Sequence, residues 1–517
     1  MTTRPLGYGE DKLGRIQSRQ ARNTDTLFEL DLGLGGQGSA SQALYRGLKA
    51  AIMDGRLTAG AKLPPARKSA AFFGVSRNTT VDVYAKLIYE GLVTTRHGSG
   101  TYVAEGVTGS PRAARRDMDL PDPRLCPFWL RPDIKSAMSF CRDRTQASSR
   151  PRDTPLLDFR PAMVDPRLFP FDLLRKMSAD QFRGSENKPA SLKSPQGNQG
   201  NYHLRNAIRS HISLTRAVAC QADDIIVTSG AQQAFDLLAR VLVPSTKTIV
   251  AVEDPGYPPM RVAFAAAGAG VVPVSVDDEG LIIERLPANV NVICLCPSHQ
   301  FPLGVSMSMR RRASLIDFAR QRGALIVEDD YDGEFRYEGT PLQALRTADA
   351  ADVVFYVGTF SKCMLPSLRL GFIVAPDWAM QALIAAKNCL DWHSAIPIQG
   401  MVAGFIRDGH LKRHVRKMLG IYKRRRQQLL DSIRGELGEW LTPVPSFYGM
   451  HVAAVAPSSV DLDRVTEELL QQNVKIHSFS RYYLGPPTRQ GLIFGYGTVG
   501  LNEIATGVSR LRKLLRG

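Results

Sequence analysis

Tyr356-Val-Gly-Thr359-Phe360-Ser361-Lys362, with Arg369 seven residues further on, is the stretch that decides the fold. The apolar residues from Val353 to Val357 read as a strand, and the small residues that follow read as a turn. The lysine amine then projects from the carboxyl edge of a sheet, where open α/β sheets place their ligands. Upstream, Leu325-Ile-Val-Glu-Asp329-Asp330-Tyr331-Asp332 is a second apolar run, and it ends in acids.

Outward from this pair, strand and helix patterns alternate from Leu157-Asp-Phe-Arg-Pro onward, which predicts a mainly parallel sheet. Asp224-Ile-Ile-Val-Thr228 is a strand, and Ser229-Gly230-Ala231-Gln232-Gln233 opens a helix whose first N–H groups are free for a phosphate. Ile249 to Val252 ends in Glu253-Asp-Pro-Gly-Tyr257, which sets an aromatic ring at the sheet edge. Asn291 to Cys296 leads into Pro297-Ser298-His299-Gln300-Phe301-Pro302-Leu303-Gly304.

Together these elements resemble the fold-type I aminotransferases that use pyridoxal 5′-phosphate, over residues 156–517. The resemblance implies that Lys362 forms the Schiff base with the cofactor and that Tyr257 stacks on its ring. Strand residues alternate faces, so only one of two adjacent acids meets the pyridinium nitrogen; Asp329 is the choice over Asp330. Tyr331 shares that side and is implied as a donor to the phenolic oxygen. Gly230, Ala231 and Gln232 are implied in the phosphate cradle, completed by Thr359, Ser361 and Arg369, whose guanidinium gives the dianion a charge-assisted pair. Most family enzymes carry Asn-Pro-x-Gly where this chain has His299-Gln300-Phe301, so the asparagine's contact falls to Gln300 or His299. Arg481 stands where family members hold an amino-acid carboxylate, with a surface ion pair as the alternative. His410 and His414 are spaced i, i+4 on a basic helix without the glutamate of an HExxH motif, and no metal site is expected.

The 517 residues exceed one ordinary domain, and 44% hydrophobic with 22% charged content is that of a globular protein. No apolar run approaches a membrane span and the N-terminus lacks a signal-peptide core, so the expected location is cytoplasmic, with no membrane partner. Seven scattered cysteines without zinc spacing read as free thiols, with Cys294 and Cys296 packed on one strand face. The net charge of +17 favours a polyanionic partner, and it is concentrated near the N-terminus. Residues 39–104 hold nine Lys/Arg against three Asp/Glu, and residues 106–155 hold ten against six.

Residues 1–38 read as a flexible extension; Gly33-Leu-Gly35-Gly-Gln-Gly38 has no βαβ unit around it and is not a dinucleotide site. Over residues 39–105, Ser41 can cap a helix with apolar positions Leu44, Leu48, Ala51 and Ile52. A short helix after Leu63-Pro-Pro-Ala-Arg67 runs to Phe73, Gly74-Val75-Ser76 makes a turn, and Ser76 caps a second helix with the apolar stripe Val81, Tyr84, Ala85 and Ile88. Leu92-Val-Thr-Thr-Arg96-His97-Gly98-Ser99-Gly100-Thr101-Tyr-Val103 follows as a hairpin. This string resembles the winged helix of the GntR family. The resemblance implies that Arg67, Ser76, Arg77, Asn78, Thr79 and Thr80 face double-stranded DNA, with Arg77 matched to guanine and the wing tip His97, Gly98 and Ser99 near the backbone or minor groove. Residues 106–155 read as a basic linker with one apolar island, Phe128-Trp129-Leu130.

A GntR-type reader joined by a linker to an aminotransferase-like domain resembles the MocR/GabR regulators. What that implies is a transcriptional regulator in which an amino-acid or amine effector displaces Lys362 from the cofactor as an external aldimine. A head-to-tail homodimer would then read paired operator half-sites. Two other readings stay open at this stage: a working aminotransferase carrying a DNA-binding appendage, and a constitutive repressor whose cofactor domain is a dimerisation scaffold. GABA, taurine, other amino acids and pyridoxal phosphate itself all remain as effectors.

Overall fold

The computed structural model describes residues 39–106, 124–138, 156–186, 197–339 and 343–516. The N-terminal extension and most of the linker lie outside the described residues. The chain divides into two compact units, Met1–Leu125 and Cys126–Gly517.

In the first unit, α1 (Ala40–Met53) starts at Ser39, whose hydroxyl accepts from the Gln42 amide at 3.3 Å. Ser41, the expected cap, lies inside the first turn. Leu44, Leu48, Ala51 and Ile52 are buried as their spacing requires. β1 (Lys62–Leu63) precedes α2 (Ala66–Phe73), which ends on Gly74 in the left-handed region at φ +65°. Ser76 then caps α3 (Arg77–Tyr89) by accepting from the Thr79 amide at 3.0 Å. β2 (Val93–Arg96) and β3 (Gly100–Val103) form the hairpin, and β3 also pairs with β1.

The buried face of α3 differs from the expected stripe by one residue. Thr80, Val83, Tyr84 and Leu87 are buried, while Val81 is 47% and Ile88 39% exposed. The shift has a local cause. Thr80 satisfies its own hydroxyl on the Ser76 carbonyl at 3.4 Å, so a polar residue enters the core. Tyr84 contacts Pro64 O at 3.0 Å and Ser69 Oγ at 2.8 Å, which sets the rotation of the helix.

The second unit is built on an eight-stranded sheet. Its order is Ile225–Thr228, Gly371–Val374, Val354–Thr359, Leu325–Asp330, Val292–Leu295, Ile249–Asp254, Gly270–Asp277, Gly280–Leu281. Only Gly371–Val374 and the edge strand Gly280–Leu281 run against the rest. Both faces are covered, as long runs of buried β-branched residues require. Ile226, Val357 and Ile373 pack under the helices Ala231–Leu242 and Asp377–Leu390, whereas Val227, Tyr356 and Phe372 pack on the opposite face with Tyr202–Arg216 and Ile396–Arg407. A second, antiparallel sheet follows the 27-residue helix His410–Glu436. Leu157–Asp158 pairs with Val474–Lys475, which fastens the beginning of this unit to its last third.

Part of the stretch read as linker is folded. The helix Pro132–Met138 packs Ile134 and Ala137 on Val262, with Phe128 beside them. Burying these apolar side chains joins the segment to the larger unit. Among the described residues, no helix is long and apolar enough to cross a membrane.

Candidate functional site

The carboxyl end of Ile225–Thr228 hands the chain to Ser229 and Gly230, and Gly230 (φ +81°) caps the helix Ala231–Leu242. Register aligns Thr228 with Gly371 and Gly371 with Thr359, so three loops meet at that helix N-terminus. Thr359 Oγ1 donates to Ser361 Oγ at 3.0 Å and accepts from the Ser361 amide at 3.2 Å. Arg369, itself left-handed at φ +48°, donates from Nη2 to the Ser229 carbonyl at 2.9 Å. A helix N-terminus, a guanidinium and two hydroxyls are groups that could hold a dianion. The side chain of Gln232 is engaged with Pro259 O at 3.2 Å. Gln233, which sequence reasoning did not single out, accepts from the Ser229 amide at 2.7 Å and donates to Asp391 at 2.8 Å, steadying the turn.

A Cβ at Gly230 would lie 2.9 Å from Arg369 Nη2. Gly230→Ala is therefore expected to weaken pyridoxal 5′-phosphate binding by roughly tenfold or more, since the strained backbone and the displaced guanidinium together cost about 1 kcal/mol or more. Absorbance titration of the purified protein checks this.

Asp329 and Asp330 end one strand and point to opposite sides. Asp330 is closed off by Arg216 Nε at 2.6 Å and the Tyr356 hydroxyl at 2.6 Å. Asp329 Oδ2 receives only the Cys296 thiol at 3.7 Å among the described hydrogen bonds, and Oδ1 is buried with no partner. Burial, reinforced by the Asp330 charge, pushes the Asp329 carboxyl up to about 8, while Cys296 and the Lys362 ammonium pull it back. A buried acceptor with one oxygen unpaired, close enough to feel the Lys362 charge, fits a cationic ring N–H. Lys362 is half-buried, its Nζ donating to Ala162 O at 2.8 Å. Tyr257 meets Phe235 and Phe301 edge-on, at 6.3 and 5.7 Å.

Gln300 is committed elsewhere: its amide donates to Pro255 O and Phe301 O, both at 2.8 Å, and accepts from the Leu303 amide at 3.1 Å. His299 instead meets the Tyr331 hydroxyl at 2.8 Å. Arg481 is the residue expected from the sequence to hold a carboxylate or to form a surface ion pair. It stands exposed on the short turn Phe479–Tyr482, whereas Tyr482 is buried and packs edge-on against Phe301 at 5.1 Å. The segment gives the site an aromatic wall, because the turn sends Phe479 and Tyr482 inward. Arg261, the nearest arginine after Tyr257, reaches the Tyr482 carbonyl at 3.4 Å.

In the smaller unit, Arg67, Ser76, Arg77 and Asn78 are exposed, and Thr79 is half-buried with its hydroxyl on Ser76 Oγ at 2.8 Å. Thr80 is fully buried, so it does not belong to the exposed face assigned to it from the sequence. In the wing, His97, Gly98 and Ser99 are exposed; the Arg96 guanidinium lies 4.9 Å from the Tyr102 ring, and Ser99 Oγ meets the Tyr102 hydroxyl at 2.6 Å. Arg77→Ala is expected to weaken operator binding by about 10- to 100-fold, on the order of 1–3 kcal/mol, whereas Thr80→Val leaves it within about twofold. Fluorescence anisotropy at two salt concentrations measures both.

Comparisons with known proteins follow the same division. Residues 40–103 match the family described as bacterial regulatory proteins, gntR family, and residues 173–490 match aminotransferase class I and II. The chain is 31% identical to the probable rhizopine catabolism regulatory protein MocR of Rhizobium meliloti, over 91% of this chain and 92% of that protein. It is 30% identical to the transcriptional regulator TauR of Rhodobacter capsulatus over 93% and 98% of the two chains. The pyridoxine biosynthesis regulator PdxR of Corynebacterium glutamicum is likewise 30% identical, over 86% and 89%. Among solved structures, the kynurenine aminotransferase of Pyrococcus horikoshii superposes with a TM-score of 0.64 at 24% identity, covering 73% of this chain and 98% of its own.

Proposed function

The chain belongs to the MocR family of transcriptional regulators, GntR-type readers fused to a pyridoxal 5′-phosphate aminotransferase-like domain, and from that premise we propose that it is an amine sensor working through Lys362. The observation that carries this reading is the unpaired buried Oδ1 of Asp329 beside Lys362, in a chain whose reading helix keeps Arg77 and Asn78 exposed. Bound pyridoxal 5′-phosphate supplies an aldehyde that captures primary amines reversibly.

The chain's own residues do the rest. Asp329 accepts from the ring nitrogen and keeps it protonated. Gly230, Ala231, Gln232, Thr359, Ser361 and Arg369 hold the phosphate, Tyr257 stacks on the ring, and Tyr331 offers its hydroxyl to the phenolic oxygen. Lys362 anchors the cofactor until an amino-acid or amine effector competes for it. Phe301 and Tyr482 wall the neighbouring space with aromatic surface, which selects by shape. An effector shifts operator affinity only by its differential affinity for the two arrangements of the protein. A head-to-tail homodimer would present two readers to paired half-sites.

One observation favours a second reading. Lys362, Asp329, Tyr331 and Arg369 are all present, which by resemblance is the equipment of a transaminase. Steady keto-acid release from an amino acid and α-ketoglutarate would support turnover; an amine-induced spectral change that persists without product supports sensing.

A further inference from the structure

His299 Nδ1 is faced by three oxygens: Asp332 Oδ2 at 3.0 Å, Asp332 Oδ1 at 3.1 Å and the Tyr331 hydroxyl at 2.8 Å. Both His299 and Asp332 side chains are 2% exposed, so water does not mediate between them. An imidazole nitrogen carries either one proton or one lone pair in the ring plane. A lone pair aimed at a carboxylate is repelled, so Nδ1 carries the proton and Asp332 accepts it. Tyr331 then meets an N–H rather than an acceptor, and its own proton is not drawn toward His299.

The surroundings hold this arrangement. His299 Nε2 is buried without a partner, so a proton placed there would have no acceptor. The His451 ring packs on it at 4.7 Å, with its Nε2 donating to Pro302 O at 2.9 Å. Burial keeps His451 well below the usual histidine range. Gly449, at φ +82°, passes so close that a Cβ there would collide with the His299 ring and Asp332. Tyr331 also faces Asp329, Cys296 and Glu253, and burial together with Asp332 holds its phenol well above the usual range, so it stays a donor.

We propose that His299, locked by Asp332 in its Nδ1–H form, is a positioning residue that reserves the Tyr331 hydroxyl proton for an oxygen of the bound cofactor. The proposal rests on the Lys362 site reading. Asp332→Asn replaces the acceptor by an amide that can donate to Nδ1, reversing the tautomer and turning the Tyr331 proton back onto His299.

The test is the pH titration of the visible band of full-length protein loaded with pyridoxal 5′-phosphate. A lost donor destabilises the phenolate and holds the proton on the lysine nitrogen to higher pH. Tyr331→Phe is expected to raise the midpoint by about one to two pH units, and Asp332→Asn to follow it in the same direction. If Tyr331→Phe shifts the midpoint and Asp332→Asn titrates like the wild type, the proposal is overturned while the site reading stands. An unchanged Tyr331→Phe midpoint in a coloured protein also overturns it. A wild type that develops no band overturns the site reading, and the proposal with it. Nitrogen-15 spectra of histidine-labelled wild-type apoprotein require no variant to fold: the Nδ1–H form of His299 is expected, and the Nε2–H form contradicts the proposal.

Discussion

Lys362→Ala is expected to give a folded protein that never turns yellow with pyridoxal 5′-phosphate and takes no borohydride label. The strand Val354–Thr359 is buried throughout, and Thr359 and Ser361 hold the turn without help from the lysine. Removing this half-buried ammonium, whose Nζ donates to Ala162 O, should alter stability by about 1 kcal/mol. Cofactor binding then falls to what the phosphate cradle retains. Loss of the covalent anchor is expected to weaken it by roughly two orders of magnitude or more, about 3 kcal/mol. Basal operator binding, carried by the separately folded unit with Arg77 and Asn78, should stay close to wild type, while the response to amines disappears. Absorbance spectra, thermal denaturation and anisotropy separate the three effects.

Asp329→Asn is expected to act in opposite directions on the apoprotein and the loaded protein. In the unfolded chain the carboxyl releases its proton near pH 4, whereas burial and Asp330 hold it to about 8 in the fold. The folded state therefore binds more protons across that window, and its stability declines as pH rises from about 4 to about 8. An isosteric amide removes this contribution, so the variant apoprotein should melt higher at pH 7 and 8, by an amount on the order of several kcal/mol. The slope will not vanish altogether, because burial likewise raises Glu253 to about 8. The same change deprives a cationic ring nitrogen of its counter-charge, and cofactor affinity should drop by about 100-fold. Melting curves of apoprotein and loaded protein at pH 5 and pH 8 test both signs.

What was legible in the sequence is what depends on local order along the chain. A strand, a small-residue turn and Lys362 follow one another directly, and alternation alone separates Asp329 from Asp330. The GntR-like string carries its caps and turns within a few residues of each other, so α2, α3 and the wing could be placed. The misplaced features depend on partners distant in sequence or on side-chain chemistry that hydropathy ignores. Thr80 reads as polar yet is buried, because its hydroxyl bonds to the backbone of its own helix. The pairing of His299 with Asp332, and of Arg216 with Asp330, joins ends of different elements that no spacing rule connects. The docking of Ile134 on Val262 was hidden for the same reason.

The most direct test of the account measures operator affinity of the cofactor-loaded protein against a panel of primary amines, by anisotropy at fixed salt, beside the visible spectrum of the same samples. An amine that alters the spectrum should also change operator affinity of the wild type, and should change neither quantity in Lys362→Ala. Operator affinity that stays constant while the spectrum changes, or an equal response in Lys362→Ala, would contradict it.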